Sequence, residues 1–405
     1  MIQPREQSMT GSLSGVRVID MTTVYSGPMA ASILGDQGAD VVKVEPPGGD
    51  MQRGPMRVSR NGLDAQFAAL NRNKRSIGID LSGDAGKSVL HRFVANADVL
   101  MENFRPGVME RLGVGYASLS ELNPRLIFAS INGVGATGPY AGRRVYDAVI
   151  QAISGIASLQ ADPETGEPAL VNTLICDKVT AMTAAQAVCS ALYARERTGV
   201  GQRIDVSMLD SALFFLWPDA MVNQHFVGES VDVMTQRLRQ RPRPSKVKKT
   251  ADGYIATMPV QTREWKGVFQ ALELTEDLSE EDRDVRTGVG PSPEVMRAID
   301  DAYTRFTTDD LCARLERHQV PFARINQREE VANDPQVRAM GALVEFEHPV
   351  GGTLRQPRPP GRFSGTPAGI FRHTPSLGEH TDELLGEVGF SPDEIAGLRE
   401  ASVVF

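Results

Sequence analysis

The chain has 405 residues, with 43 Lys and Arg against 51 Asp and Glu, a net charge of −8. At 41% hydrophobic and 23% charged it has an ordinary globular composition, which excludes disorder, coiled coil and collagen; its acidity argues against a dedicated nucleic-acid binder. Three cysteines, Cys176, Cys189 and Cys312, are too few and too scattered for a disulfide framework or a zinc cage, so a cytoplasmic protein with no metal is expected.

In chain order, residues 16–20 read as a strand, followed by Ser26, Gly27 and Pro28, a helix-start signal, and an apolar helix to about residue 34. Strands follow at 40–45 and 75–80, a helix at 83–96, and further strands at 98–101 and 126–130. Strands separated by helices imply βαβ units and a mainly parallel sheet, so the predicted fold class is α/β. A long helix is expected at 178–197, with Val179, Met182, Ala185, Cys189 and Leu192 on one face and Gly199 as its stop. A strand at 202–207 comes next.

From 228 to 252 the texture changes. Seven basic residues, from Arg237 to Lys249, occur without an acidic one, broken by Pro242 and Pro244. They read as an exposed connection. The predicted organisation is a large domain over 1–227, this connection over 228–252, a smaller α/β domain over 253–325, and a return to the large domain over 326–405. Residues 348–367, rich in Pro and Gly, are expected to be irregular, and 382–399 to be one helix. The N-terminus lacks an apolar signal core, and the apolar run at 212–217 is far too short to cross a bilayer, so no membrane segment is expected.

The turn after the first strand, Tyr-Ser-Gly-Pro at 25–28, lacks the G-x-G-x-x-G pattern through which a dinucleotide pyrophosphate approaches a helix. Two other segments beside predicted strands carry phosphate-binding residue types. One is Asn-Arg-Asn-Lys-Arg at 71–75, the other Asn-Phe-Arg-Pro-Gly at 103–107. Lys and Arg neutralise phosphates, Asn offers amide donors and Phe can stack on a purine, while a solvated charged loop explains either segment alone. Asp177 stands just before the long helix. There an aspartate caps the helix by accepting a backbone N–H, or serves as a nucleophile that the helix's positive end keeps ionised. The six histidines show no metal-ligand spacing, and no G-x-S-x-G elbow is present.

In order and spacing these segments, with Gly-Asp at 49–50, Asn-Gly-Val-Gly-Ala-Thr-Gly-Pro-Tyr at 132–140, Arg-Thr-Gly-Val-Gly-Gln at 197–202 and Pro-Ser-Leu-Gly-Glu-His at 375–380, resemble the family III CoA-transferases of the formyl-CoA and carnitine CoA-transferase type. The resemblance implies a Rossmann-like large domain and a smaller α/β domain, and two chains interlocked as a homodimer with active sites between subunits. It also implies acyl-CoA and a carboxylic acid as substrates, with no metal and no cofactor beyond coenzyme A itself. It assigns Asp177 as the catalytic aspartate. Tyr25, Ser26, Asn73, Lys74, Arg75, Asn103, Phe104, Arg111, Arg144 and Tyr146 fall at positions that contact CoA in the family. Tyr25 stands where formyl-CoA transferase has glutamine. The implied chemistry moves CoA from an acyl-CoA donor to an acid through an aspartyl anhydride and an aspartyl-CoA thioester. Two alternatives stay open: an α-methylacyl-CoA racemase, which pairs its aspartate with a histidine absent from 144–147 here, and a catalytically inactive CoA-binding relative.

Overall fold

In a computed structural model that describes residues 11–54, 58–228, 246–280, 285 and 290–405, the chain forms two compact units. One is built from residues up to His225 and from Gly341 onward, the other from Phe226–Met340. The first holds a six-stranded, wholly parallel sheet of β1 (Arg17–Asp20), β2 (Asp40–Glu45), β3 (Lys74–Gly78), β4 (Val99–Glu102), β5 (Ile127–Asn132) and β6 (Arg203–Ser207). Their order across the sheet is β3-β2-β1-β4-β5-β6, the doubly wound order that reverses between β1 and β4 and leaves a crevice at the carboxyl ends of those two strands.

Alternating side chains explain why both faces are covered. Ile19, Val42, Leu100 and Phe128 point into one core, beneath the helix Asp84–Ala95. Their neighbours Val18, Val41, Val99 and Ile127 point into the other, beneath α1 (Ser26–Asp36) and the long helix α3 (Ile175–Thr198). The buried face of α3 differs from the predicted one. Ala181, Ala184, Ala185, Val188 and Ala191 are buried with Leu192, whereas Met182 is exposed. Small side chains let α3 lie close to Ala30, Ala31 and Leu34 of α1 in a shared core, and close approach, rather than side-chain size, selected the face. The helix ends at Gly199, left-handed at φ 76°, as expected.

At the carboxyl end of the sheet sits a buried charge network. Lys74 Nζ on β3 donates to Asp20 Oδ2 at 2.7 Å, to the carbonyl of Pro28 at 2.9 Å and to Asn71 Oδ1 at 2.9 Å. Lys43 Nζ on β2 donates to Asp50 Oδ2 at 3.1 Å and to the carbonyl of Thr22 at 3.0 Å. Asp20, Lys43 and Lys74 are wholly inaccessible to solvent. Burial pushes the Asp20 carboxyl up, but the lysine charges outweigh it and hold the group below the usual carboxylate range. Burial pulls the Lys74 ammonium down to about 8, so the pair is ionised at neutral pH.

The remainder of this unit returns late in the chain. Leu343–His348 and Gly352–Pro357 pair as an antiparallel hairpin, where irregular structure was expected from 348. The predicted single helix at 382–399 is two, Thr381–Glu387 and Pro392–Glu400. Gly389 at φ 87° and a capping box at Ser391 with Pro392 behind it separate them. The second unit has a three-stranded antiparallel sheet of Val247–Lys249, Tyr254–Thr257 and Phe322–Arg324. It encloses a core with Trp265, Phe269, Tyr303 and Leu311. Arg237, Arg239, Arg241 and Arg243 of the basic stretch lie outside the described residues. Lys248 is not solvated: it is strand residue and buried ion partner of Asp300 at 2.6 Å. Among the described residues no helix is long and apolar enough to cross a membrane.

Lys74→Met strands the Asp20 carboxylate in the core opposite a lysine already engaged by Asp50. The expected loss is about 3–5 kcal/mol, read as an earlier urea transition of the large unit; an unchanged midpoint contradicts the role given to this ion pair.

Candidate active site

Asp177 lies in the first turn of α3, part-buried, but it is not the cap. The N-cap position is Leu174, whose side chain has no acceptor. The orphan N–H groups of Cys176 and Asp177 instead donate to Asp147 Oδ1, at 2.7 and 3.1 Å. Asp147 begins another helix, α2 (Asp147–Ser154). The Asp177 carboxylate is therefore left free of the capping role, with the hydroxyl and backbone N–H of Ser26, at the start of α1, near enough to stabilise its charge. Ser26 is the first residue of α1 rather than its cap. The turn that delivers it is tight. Val24 takes φ 70°, costly for a β-branched residue, and a Cβ on Gly27 would sit 2.3 Å from the Cβ of Thr22, so only glycine fits. Asn103, in the loop after β4, braces this turn through both ends of its amide, accepting from Thr23 N at 2.9 Å and donating to Thr23 O at 2.8 Å.

The electrostatics run against the simple helix-end argument. Burial, then the negative charge of Asp147, push the Asp177 carboxyl up to about 6, while the Ser26 hydrogen bonds pull the other way. At pH 7 roughly nine-tenths of the group is still ionised. It is a more basic carboxylate than an ordinary aspartate and a better nucleophile for it. Two neighbours respond to the same charges. Burial, followed by Asp177 and Asp147, raises the Tyr25 phenol, so it stays an O–H donor. Burial with the two carboxylates pushes the Cys176 thiol up to about 12.

A second feature adjoins this one. Asn103, Phe104, Arg144 and Tyr146 line one solvent-open cleft of ≈ 190 Å³ with Arg105, Arg143 and the glycine-rich residues 132–135. The lining holds three arginines and no carboxylate. Arg143 also stacks on the Tyr140 ring at 3.8 Å. Tyr146 belongs to the cleft and the next residue, Asp147, holds the backbone of Asp177, so cleft and carboxylate are linked across one peptide bond.

The other sequence-predicted residues are placed differently. Arg111 stands exposed at the end of the short helix Val108–Arg111, outside the cleft lining. Asn73, Lys74 and Arg75 are turned inward. The Asn73 amide donates to Asp36 and to the Gly369 carbonyl and accepts from the N–H groups of Phe371 and Arg372. Lys74 has the three partners given above, and Arg75 pairs with Asp40, Glu383 and Glu387. A ligand phosphate would have to break these bonds to reach any of the three. In this structure the three residues tie β3 to α1 and to the C-terminal segment. Sequence reasoning missed Asp147, Gln151 and Arg143. For the first two the available signal was Asp and Gln four residues apart in an otherwise apolar helical run.

The family model for CoA-transferase family III matches residues 13–381. The chain is 34% identical over 385 residues to the succinate–glutarate CoA-transferase of Agrobacterium fabrum, covering 93% of this chain and 95% of that protein. It is 32% identical over 397 residues to the human succinyl-CoA:glutarate CoA-transferase, covering 97% and 90% respectively. It is also 32% identical over 419 residues to the formyl-CoA:oxalate CoA-transferase of Rhodopseudomonas palustris strain BisA53, covering 98% of each. Among solved structures, a CaiB/BaiF family protein from Brucella suis superposes with a TM-score of 0.79 at 32% identity, over 94% of this chain and 100% of that one. The chain belongs to family III of the CoA-transferases and is a transferase enzyme.

The Asp177 carboxyl is expected to titrate with a midpoint of about 6, followed by its carbon-13 carboxyl resonance; a midpoint in the ordinary aspartate range contradicts the environment described.

Proposed function

We propose that this enzyme transfers CoA between carboxylic acids by double displacement on Asp177. The observation that carries the reading is a basic, part-buried carboxylate whose backbone is held by Asp147, the residue next to Tyr146 in an arginine cleft lined by no acidic group. Arginines without acidic neighbours favour the phosphates of CoA. Arg105, Arg143 and Arg144 are the residues proposed to hold them, with Asn103, Phe104 and Tyr146 shaping the wall. No metal takes part in the scheme.

Asp177 Oδ attacks the carbonyl carbon of the donor acyl-CoA. The C–S bond breaks and CoA leaves as the thiolate with the electron pair, giving a mixed aspartyl anhydride. The thiolate then attacks Cγ of Asp177. The C–O bond to the donor acyl group breaks, the donor leaves as its carboxylate, and an aspartyl-CoA thioester remains. The acceptor carboxylate attacks that Cγ and expels the thiolate again. The thiolate takes the acceptor's acyl carbon from the second anhydride, which restores the Asp177 carboxylate. In each displacement at Cγ an oxyanion develops on the remaining Asp177 oxygen, and Ser26 is the residue proposed to stabilise it. Its hydroxyl and N–H are in place before the charge appears, which is the condition for efficient stabilisation.

A homodimer is part of the proposal. Val149, Ile153, Leu174, Met182, Phe214 and Phe215 are large, apolar and more than a third exposed on the helices around the start of α3, and a second copy is the occupant proposed for them. Light scattering at micromolar concentration tests it, a dimer mass being expected.

Succinyl-CoA and formyl-CoA as donors, with succinate, glutarate and oxalate as acceptors, make the first panel, since these are the acids in the relatives' names. Borohydride added before digestion is expected to change the mass of the Asp177 peptide alone. Asp177→Ala is expected to lower exchange at least roughly 10³-fold while CoA binding stays within about twofold. Arg144→Ala is expected to raise the KM for acyl-CoA about tenfold with kcat little changed. Retained exchange in Asp177→Ala refutes the covalent route.

A further inference from the structure

Asp147 is a carboxylate with no exit to water. It is 2% exposed, as is Gln151 one helical turn further along α2. One of its oxygens accepts from the N–H groups of Cys176 and Asp177, the other from Gln151 Nε2 at 2.6 Å. Gln151 Nε2 also reaches the carbonyls of Val171 and Thr173 at 3.3 Å, and its Oε1 accepts from Val171 N at 2.9 Å. A single amide thus fastens the segment that leads into α3, and a single carboxylate fastens the first turn of α3. Donors thus reach both oxygens of Asp147, which lies within electrostatic reach of Asp177.

We propose that Asp147, oriented by Gln151, is a positioning residue with two effects. It fixes Asp177 at the start of its helix, and its negative charge favours the acylated, uncharged forms of Asp177 over the free carboxylate. The inference rests on the reading of Asp177 as nucleophile and goes beyond it by naming what drives the covalent steps. While Asp177 is a carboxylate, two negative charges share a part-buried site. Once it becomes an anhydride or a thioester, one of them is gone, and the energy stored in their repulsion has been spent on forming the covalent bond. The other ionisable groups on the surrounding elements do not compete for this role. Tyr25 and Cys176 are raised and neutral. Lys178 turns outward to the Thr173 hydroxyl, and Asp210 bonds the Ser207 hydroxyl. Arg144 and Tyr146 are exposed in the cleft.

The test has two arms, both on the full chain. In the first, Asp177→Asn is melted beside the natural protein at pH 8 and pH 5. The Asp177 carboxyl is raised in the folded state, so its ionised form weakens the fold at pH 8, and protonation relieves that as the pH falls. The variant is expected to melt several degrees higher at pH 8 and to keep less of that gain at pH 5. In an Asp147→Asn background, whose amide oxygen still accepts the two N–H groups, the gain is expected to shrink to about half or less. In the second arm, acylation of Asp177 by succinyl-CoA is followed against pH in Asp147→Asn. The inflection is expected to move down by about one unit and the plateau rate to fall about tenfold, with the Kd of CoA unchanged. An unmoved inflection, or an equal melting gain with and without Asp147, overturns the proposal. Should Asp147→Asn not fold, the single variant decides, and no gain at pH 8 overturns it. If no donor acylates Asp177 in the natural protein, it is the nucleophile reading that fails, and the melting arm still reports the coupling of the two carboxylates.

Discussion

Everything at this site depends on where the turn between β1 and α1 is held. Residues 22–28 contain a left-handed valine and a glycine that tolerates no side chain, and such a turn keeps its shape only when its surroundings over-determine it. Here they do. Asp20 takes the N–H and hydroxyl of Thr22, Lys43 takes the Thr22 carbonyl, Asn103 takes both polar groups of Thr23, and Lys74 takes the carbonyl of Pro28. These side chains come from four separate segments of the chain. Without them Ser26 has no fixed position, and without Ser26 the carboxylate of Asp177 has no donors. The buried ions are therefore better understood as devices of placement than as sources of stability, since ion pairs in a core commonly do little better than hydrophobic replacements of equal volume.

The charges of the site divide into two kinds. Lys43, Lys74, Asp20 and Asp50 are compensated in pairs and hold the scaffold still. Asp147 and Asp177 are not compensated by each other, and the second of them is the proposed nucleophile. A protein selected for stability alone would have neutralised one of this pair. The fold tolerates the conflict because both carboxylates lie against helix starts, where backbone N–H groups carry partial positive charge, and because Gln151 and Ser26 spread the load over further donors.

Much of the fold was legible in the sequence, because it rests on repeated local signals. The strand at 40–45 was read to the residue, as its alternation of buried valines with Lys43 and Glu45 suggests, and Gly199 marked the end of α3. What failed had physical reasons. The buried stripe of α3 is made of alanines, which carry little weight in a hydrophobicity pattern although they permit the tightest packing. Gly389 and Pro392 divided a helix that periodicity alone would have run through. For the site, the sequence placed Asp177 at a helix start, and Asn103, Phe104, Arg144 and Tyr146 do share a cleft. That Lys74 and Arg75 turn to buried or part-buried carboxylates was not legible, because a basic residue beside a strand end looks the same in sequence whether it faces a phosphate or a carboxylate. Asp147 was overlooked because its importance comes from a contact thirty positions away, which no local pattern encodes.

Cys176 shows what the same pair of carboxylates does to a bystander. In the proposed cycle the acyl group carried on Asp177 sits next to a thiol on the adjacent residue, and a thiol is what thioesters exchange with most readily. With its proton affinity pushed up to about 12, on the order of one Cys176 in 10⁵ is a thiolate at neutral pH. The cysteine is silent for the same electrostatic reason that the aspartate is reactive. A site that disfavours negative charge makes the nearby carboxylate eager to lose its own and keeps the thiol from acquiring one. In that cycle the acyl group passes beside this thiol without being captured by it.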